Sequence, residues 1–202
     1  MSFFEPPPQP PEPEPSEIET RPWWQAPRNE LGVSTGLRVV LARTHDLAVA
    51  VDAVAFTTGV ELKLVAARRR PSAADDPLEL QYRFMHHLRP SGELPPELLR
   101  FGVELSDGRR ATSLETGPGT VFPLGGGEEP EPEGPLLSFG GGRGDNDRLE
   151  SEYWLWPLPP PGPLAFVVEW PAEGIELTRR EVDSAPIIEA AARSELLWAE
   201  PD

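Results

Sequence analysis

The sequence predicts a mainly β chain: an antiparallel β-sandwich, immunoglobulin-like in architecture, with one C-terminal α-helix and a disordered Pro/Glu-rich N-terminal arm. Three observations carry that expectation. Apolar residues recur with a period of two in short runs bounded by turn residues, the pattern of half-buried antiparallel strands. One stretch alone, near the C-terminus, combines helix-start residues with apolar side chains at helical spacing. Proline and glycine number 27 and 18 in 202 residues, which punctuates many short strands without reaching a wholly low-complexity composition. Repeated strand–helix alternation, which a doubly wound α/β fold requires, is missing.

Residues 1–28 contain nine prolines and a Pro-Glu alternation through Glu12-Pro13-Glu14-Pro15. Proline fixes φ and like charges repel, so this arm is expected to be extended and disordered. Pro7-Pro8-Gln9-Pro10 resembles a PxxP core, and a plain solubilising tail is the other reading. Residues 29–202 then read as a single domain. Leu37, Val39 and Leu41 alternate with Arg38, Val40 and Ala42 in the first strand. Leu47, Val49 and Val51 open the second, in which the apolar parity switches to Val54 and Phe56; that switch predicts a bulge near Asp52. Thr57-Thr58-Gly59 turns the chain into a third strand with Val60, Leu62, Leu64 and Ala66 on one face.

Breakers between Arg68 and Pro77 mark a loop, and Leu80, Tyr82 and Phe84 suggest a strand leaving it. Pro95-Pro96-Glu97-Leu98 can open a helical turn. Phe101, Val103 and Leu105 lead into Ser106-Asp107-Gly108, whose Asp-Gly pair favours the positive-φ geometry of a tight hairpin. Residues 115–147 read as a flexible Gly/Glu/Pro insertion, with Pro135 to Phe139 as a short edge strand inside it. Leu149–Pro157 and Leu164–Trp170 read as a strand pair joined by a stiff proline corner, because proline cannot donate to a ladder. Ile175, Leu177 and Arg179 give one more strand. A helix is predicted over 184–198, with Ser184 as N-cap, Pro186 in the first turn, and Ile188, Ala192 and Leu196 on one face.

Two segments carry a resemblance. Leu99-Arg100-Phe101-Gly102-Val103-Glu104-Leu105-Ser106-Asp107-Gly108-Arg109-Arg110 and Trp154-Leu155-Trp156-Pro157-Leu158-Pro159-Pro160-Pro161-Gly162-Pro163-Leu164, with Glu169-Trp170-Pro171, resemble an uncharacterised family of actinobacterial proteins. The resemblance spans roughly residues 22–200 and agrees with a basic complement of 17 Arg and one Lys. It implies no activity or cofactor, and no functional residue is carried over from it.

The net charge of −16 is concentrated outside the predicted strands: residues 1–22 hold five Glu against Arg21, and residues 123–147 hold six acids against Arg143. Arg68-Arg69-Arg70 is the one basic run, beside Asp75 and Asp76, so neither nucleic acid nor an anionic membrane is an expected partner. Without cysteine there is no disulfide, thiol nucleophile or thiolate site. The N-terminus lacks a signal-peptide pattern and no apolar run reaches a membrane span, so a cytoplasmic location is expected.

Candidate chemistry is sparse. His86 and His87 are adjacent, so on a strand their rings point to opposite faces; a metal site there would need Asp75 or Asp76. Asp145-Asn146-Asp147 places oxygens at alternating positions as calcium sites do, yet the full EF-hand spacing fails. There is no G-x-S-x-G elbow, and Gly140-Gly141-Gly142-Arg143-Gly144 is not followed by the Lys-Ser/Thr of a phosphate loop. Six tryptophans are the most unusual feature. Trp154 and Trp156 share one face of a strand with Glu150 and Glu152, Trp170 ends the next, and Trp23-Trp24 follows the arm as an aromatic latch. Core filling is the favoured reading of these tryptophans, and binding, for which these five are the candidate residues, is the alternative. The expected function is therefore a non-enzymatic protein-interaction or scaffold module without a cofactor. A carbohydrate- or small-ligand-binding sandwich is the alternative, and a metal-dependent enzyme the third.

Overall fold

A computed structural model describes residues 21–70, 94–114, 131–145 and 147–198. The predicted strand over Leu80–Phe84, together with Asp75, Asp76, His86 and His87, lies outside the described residues, as does 115–130 of the predicted insertion.

The described chain is mainly β, with antiparallel sheets and one short α-helix. In chain order its elements are β1 (Glu30–Leu31), β2 (Val33–Arg43), β3 (Leu47–Ala55), β4 (Val60–Arg68), β5 (Arg100–Glu104), β6 (Arg110–Thr112), β7 (Leu136–Gly144), β8 (Arg148–Trp156), β9 (Pro163–Trp170), β10 (Ile175–Asp183), α1 (Ala185–Ala191) and β11 (Glu195–Leu196). A five-stranded sheet runs β2-β3-β4-β8-β7, a four-stranded sheet runs β10-β9-β5-β6, and β1 pairs with β11. The likeness to an immunoglobulin domain stops at two packed sheets: here β2, β3 and β4 form a meander within one sheet, whereas an immunoglobulin chain sends its third strand across to the other.

The sheets meet through the residues whose period-two pattern marked them as inward-facing. Val49 and Val51 of β3, Leu62 and Leu64 of β4 and Leu155 of β8 face Phe101, Val103, Phe166 and Val168 across a single buried core. Phe101 is central, with its ring 5.4 Å from Tyr153 and 6.2 Å from Phe166. Burial alone pushes the Tyr153 hydroxyl pKa well above the ordinary tyrosine range. The helix α1 lies against β2 and β3 and inserts Ile187, Ala190 and Ala191 into the same core.

Four expectations change. First, β3 buries Leu47, Val49, Val51, Ala53 and Ala55 without a break and its register with β4 is continuous, so the irregularity expected near Asp52 lies not in β3 but in its neighbour β2, between Ser34 opposite Val54 and Arg38 opposite Asp52. A second irregularity in the same pairing falls between Val40 and Ala42. The parity switch at Val54 and Phe56 is real, but it reports a second apolar cluster on the outer face of the sheet. Second, β8 and β9 do not pair. Residues 157–162 carry the chain from one sheet to the other, and its carbonyls accept from Ser106 Oγ (to Pro161, 3.0 Å) and Ser184 Oγ (to Pro160, 2.9 Å).

Third, β7 continues through Gly140–Gly142 to Gly144 as a nine-residue edge strand, so the flexible insertion does not extend to 147. Fourth, the helix ends at Ala191 rather than 198. Ser194 Oγ bonds Glu30 and the Leu31 carbonyl, and the chain then pairs with β1. Ser184 holds the N-cap position as expected, but it is fully buried and its hydroxyl donates to the Pro160 carbonyl of the proline corner, while Asp183 Oδ1 accepts from the Ala185 amide. The apolar residues that suggested a longer helix, Leu196 and Trp198, are exposed.

Candidate functional site

A two-sheet sandwich has two outer faces, and the parity that Trp154 and Trp156 share with Glu150 and Glu152 pointed to one of them. Even-numbered residues of β8 point away from the core, so Glu150, Glu152, Trp154 and Trp156 do share the outer face of the five-stranded sheet. Half of that face is polar. Arg38, Asp52, Lys63 and Glu152 stand at directly opposed positions on four adjacent strands, alternating in sign. Glu150 bridges Arg148 and Arg143, and those two guanidinium groups hold its carboxyl below the ordinary range.

The other half is aromatic and covered. Phe56, Trp154 and Trp156 form a cluster with Trp23, and Trp24, Ala26, Val54 and Leu136 pack around it. Trp23 lies edge-on to Trp156 at 5.9 Å, Phe56 edge-on to Trp154 at 5.7 Å, and Trp154 Nε1–H donates to the Pro22 carbonyl at 2.9 Å. The end of the arm, from Arg21 onward, is therefore packed on the domain. Trp170 is elsewhere: it is 2 % exposed within the inter-sheet core and donates its Nε1–H to the Glu97 carbonyl. Of the five candidate binding tryptophans, four are buried and Trp24 is half-buried. The alternation of Trp154 and Trp156 reported packing on the outer face of one sheet and Trp170 packs inside on the other, because periodicity tells which face a residue takes and not what covers that face.

Asp145 and Asp147 lie at the β7–β8 turn. Asp145 Oδ1 accepts from the Asp147 and Arg148 amides, which lowers its pKa, while the hydrogen bond with Asp145 raises that of Asp147. The pair closes a turn. Among the described residues no group of three or more His, Cys, Asp or Glu side chains is placed to hold a metal ion.

The surface that sequence reading missed is the outer face of the four-stranded sheet. It carries a groove of about 440 Å³. Gly102 of β5 sits at its centre, opposed by Val167 of β9 and Thr112 of β6, with Leu94, Leu114 and Leu177 around them. The depression exists because residue 102 has no side chain; a Cβ there would lie 3.1 Å from the Ala111 carbonyl. Charges close the rim. Arg100 pairs with Glu169, and Glu104 accepts from both Arg110 (2.6 Å) and Arg179 (3.0 Å). The Arg179 and Arg110 hydrogen bonds hold the Glu104 carboxyl below its ordinary range. Leu177, at 71 % exposure, is an apolar side chain presented to this groove. The only hint in the sequence was a glycine inside an otherwise regular strand, a position that often marks close approach or an open surface.

Among the described residues no helix is long and apolar enough to cross a membrane. Comparison with known protein families, curated proteins and solved structures found no match.

Proposed function

We propose that this chain is a non-enzymatic interaction module that receives an apolar side chain of a partner protein in the groove on its four-stranded sheet. The observation that carries the reading is the contrast between the two outer faces. The aromatic half of one is covered by the chain's own residues 21–27, whereas the other presents Val167, Gly102 and Leu177 inside a ring of paired charges. Such an arrangement, an apolar centre within a polar rim, is the common anatomy of a protein interface. The described lining offers arginines, one threonine and two glutamates, and both glutamates are engaged by arginines, Glu169 by Arg100 and Glu104 by Arg110 and Arg179. A net charge of −16 favours protein over nucleic acid as the partner.

A second reading, a small apolar ligand, rests on volume: the groove falls within the roughly 300–1,000 Å³ typical of small-molecule sites. Carbohydrate has less support, since the one aromatic residue among the described residues at the groove, Phe101, is turned into the core. The test is affinity capture from the host cell with wild type and with folded Leu177→Glu and Val167→Arg variants. Any captured protein is then purified and titrated against all three. Loss of direct binding with both variants supports the reading. Undiminished binding by both rejects it.

A further inference from the structure

We propose that the polar half of the outer face of the five-stranded sheet is a docking surface for the chain's own acidic N-terminal residues 1–20. Beyond the row of Arg38, Asp52, Lys63 and Glu152, the cross-strand register sets Glu150 beside Arg143, and then Arg43 and Arg148 at the two ends of a third row. These three rows hold five cationic side chains and three carboxylates, on a protein whose net charge is −16. Glu150 is engaged by Arg143 and Arg148. Arg38 and Arg43 are exposed, and among the described residues neither guanidinium meets a carboxylate. The ground between the charges is shallow and apolar: Val40 is 39 % exposed, and Ala50 and Val65 beside it are half-buried.

Two facts select the occupant. The first is charge: residues 1–20 hold five glutamates and seven prolines, with no lysine or arginine. Carboxylates suit the open guanidinium groups, and pyrrolidine rings suit a floor of valine and alanine. The second is reach. The described chain begins at Arg21, and the Pro22 carbonyl is tied to this same face by Trp154, two residues along β8 from Glu152. From Trp154 to Arg148 the strand rises about 20 Å, whereas twenty residues span roughly 60 Å in an extended proline-rich chain. Residues 1–20 thus meet the basic surface where they join the fold, and tethering gives them an effective concentration on the order of millimolar there. The groove on the opposite sheet is a poorer target for glutamate, because its rim arginines already face Glu104 and Glu169.

Lys63 is the only lysine of the chain and stands in the first of the three rows, so its amine reports what lies over them. The full-length chain is treated with a water-soluble carbodiimide, which joins a carboxyl group to an amine as an amide with loss of water, and the linked peptides are identified by mass spectrometry. Asp52 and Glu152, directly opposite Lys63 on the neighbouring strands, are the internal references. Amides between Lys63 and the glutamates of residues 1–20 should form in about 10 mM salt. Their yield relative to the references should fall at least about tenfold in about 1 M salt, where the screening length drops from about 30 to about 3 Å. Links from Lys63 to its sheet neighbours alone, or an arm yield indifferent to salt, would overturn the proposal.

A second measurement is independent of Lys63. A variant with the five glutamates of residues 1–20 replaced by glutamine alters no residue of the described fold. At low salt, the amide NMR shifts of Arg38–Arg43 and Ala48–Asp52 should differ between wild type and this variant, while those of β5 and β6 coincide. Coincident shifts on both sheets would refute the docking. Mixing isotopically heavy and light chains before the carbodiimide step identifies whose arm is bound. Amides joining a heavy Lys63 to a light arm would assign the surface to the arm of a second copy, overturning the intramolecular contact.

Discussion

Trp170→Ala separates a structural tryptophan from a binding one. The side chain is 2 % exposed, closes the end of β9 within the inter-sheet core, and ties the turn at Pro95–Leu98 to the sheet through its bond to the Glu97 carbonyl at 2.9 Å. Truncating a buried aromatic to alanine costs about 3–5 kcal/mol through lost transfer energy and the residual cavity. The orphaned carbonyl keeps the value in the upper half of that range unless water reaches it. With a urea m-value of roughly 2 kcal/mol/M, the unfolding midpoint should fall by about 2–2.5 M. Trp170→Phe keeps most of the ring and loses the N–H, so it should cost about 1 kcal/mol. Equilibrium urea unfolding followed by far-UV circular dichroism measures both. A shift below about 0.5 M for the alanine variant would refute the placement of Trp170 in the core.

Further outcomes are expected at four sites on other elements. Burial, then the Glu152 charge, raises the pKa of Glu61. The folded protein therefore holds this proton more tightly than the unfolded chain, and ionised Glu61 opposes folding above its folded pKa. Glu61→Gln should thus stabilise the protein at neutral pH, with the gain fading as pH falls through the folded pKa; a gain equally large in acid would contradict the assignment. Gly59→Ala places a Cβ 2.5 Å from the Leu155 carbonyl and should lower the melting temperature by roughly 3–10 °C, measured by calorimetry. Ser184→Ala leaves the Pro160 carbonyl without its donor and should cost about 1–2 kcal/mol in urea unfolding, whereas a change near zero would show that water replaces the hydroxyl. Leu177→Glu, on an exposed side chain, should move stability by no more than about 0.5 kcal/mol, which makes it a clean probe of the groove.

What could be read locally was read well where one short-range rule governs. The period of two in Val60 to Ala66 matches the buried face of β4 residue for residue. Asp107-Gly108 makes its turn, with Gly108 at φ +85° and the Arg109 amide bonded to Asp107 Oδ1. The proline corner after Trp156 is a connection, as residues without an N–H must be. Where two rules competed, the longer-range one won. Apolar spacing extended the helix to Trp198, but Ser194 and Glu30, 164 residues apart in sequence, ended it seven residues earlier. The run Gly140–Gly142 reads as flexible in isolation, yet β8 supplies partners along it.

The amino-acid sequence by itself determined that this protein is built from antiparallel strands, where most of the described strands begin and turn, and which side chains share a face. Those properties follow from backbone geometry and side-chain alternation within a few residues. Tertiary structure alone decided which sheet each strand joins, which residues lie over the aromatic outer face, and where the described residues leave a surface open. Trp154 is buried because Pro22 and its neighbours return across 132 residues to cover it, and Gly102 becomes the floor of a groove because nothing described crosses the sheet there. Burial is a property of two surfaces meeting, and a local pattern specifies only one of them.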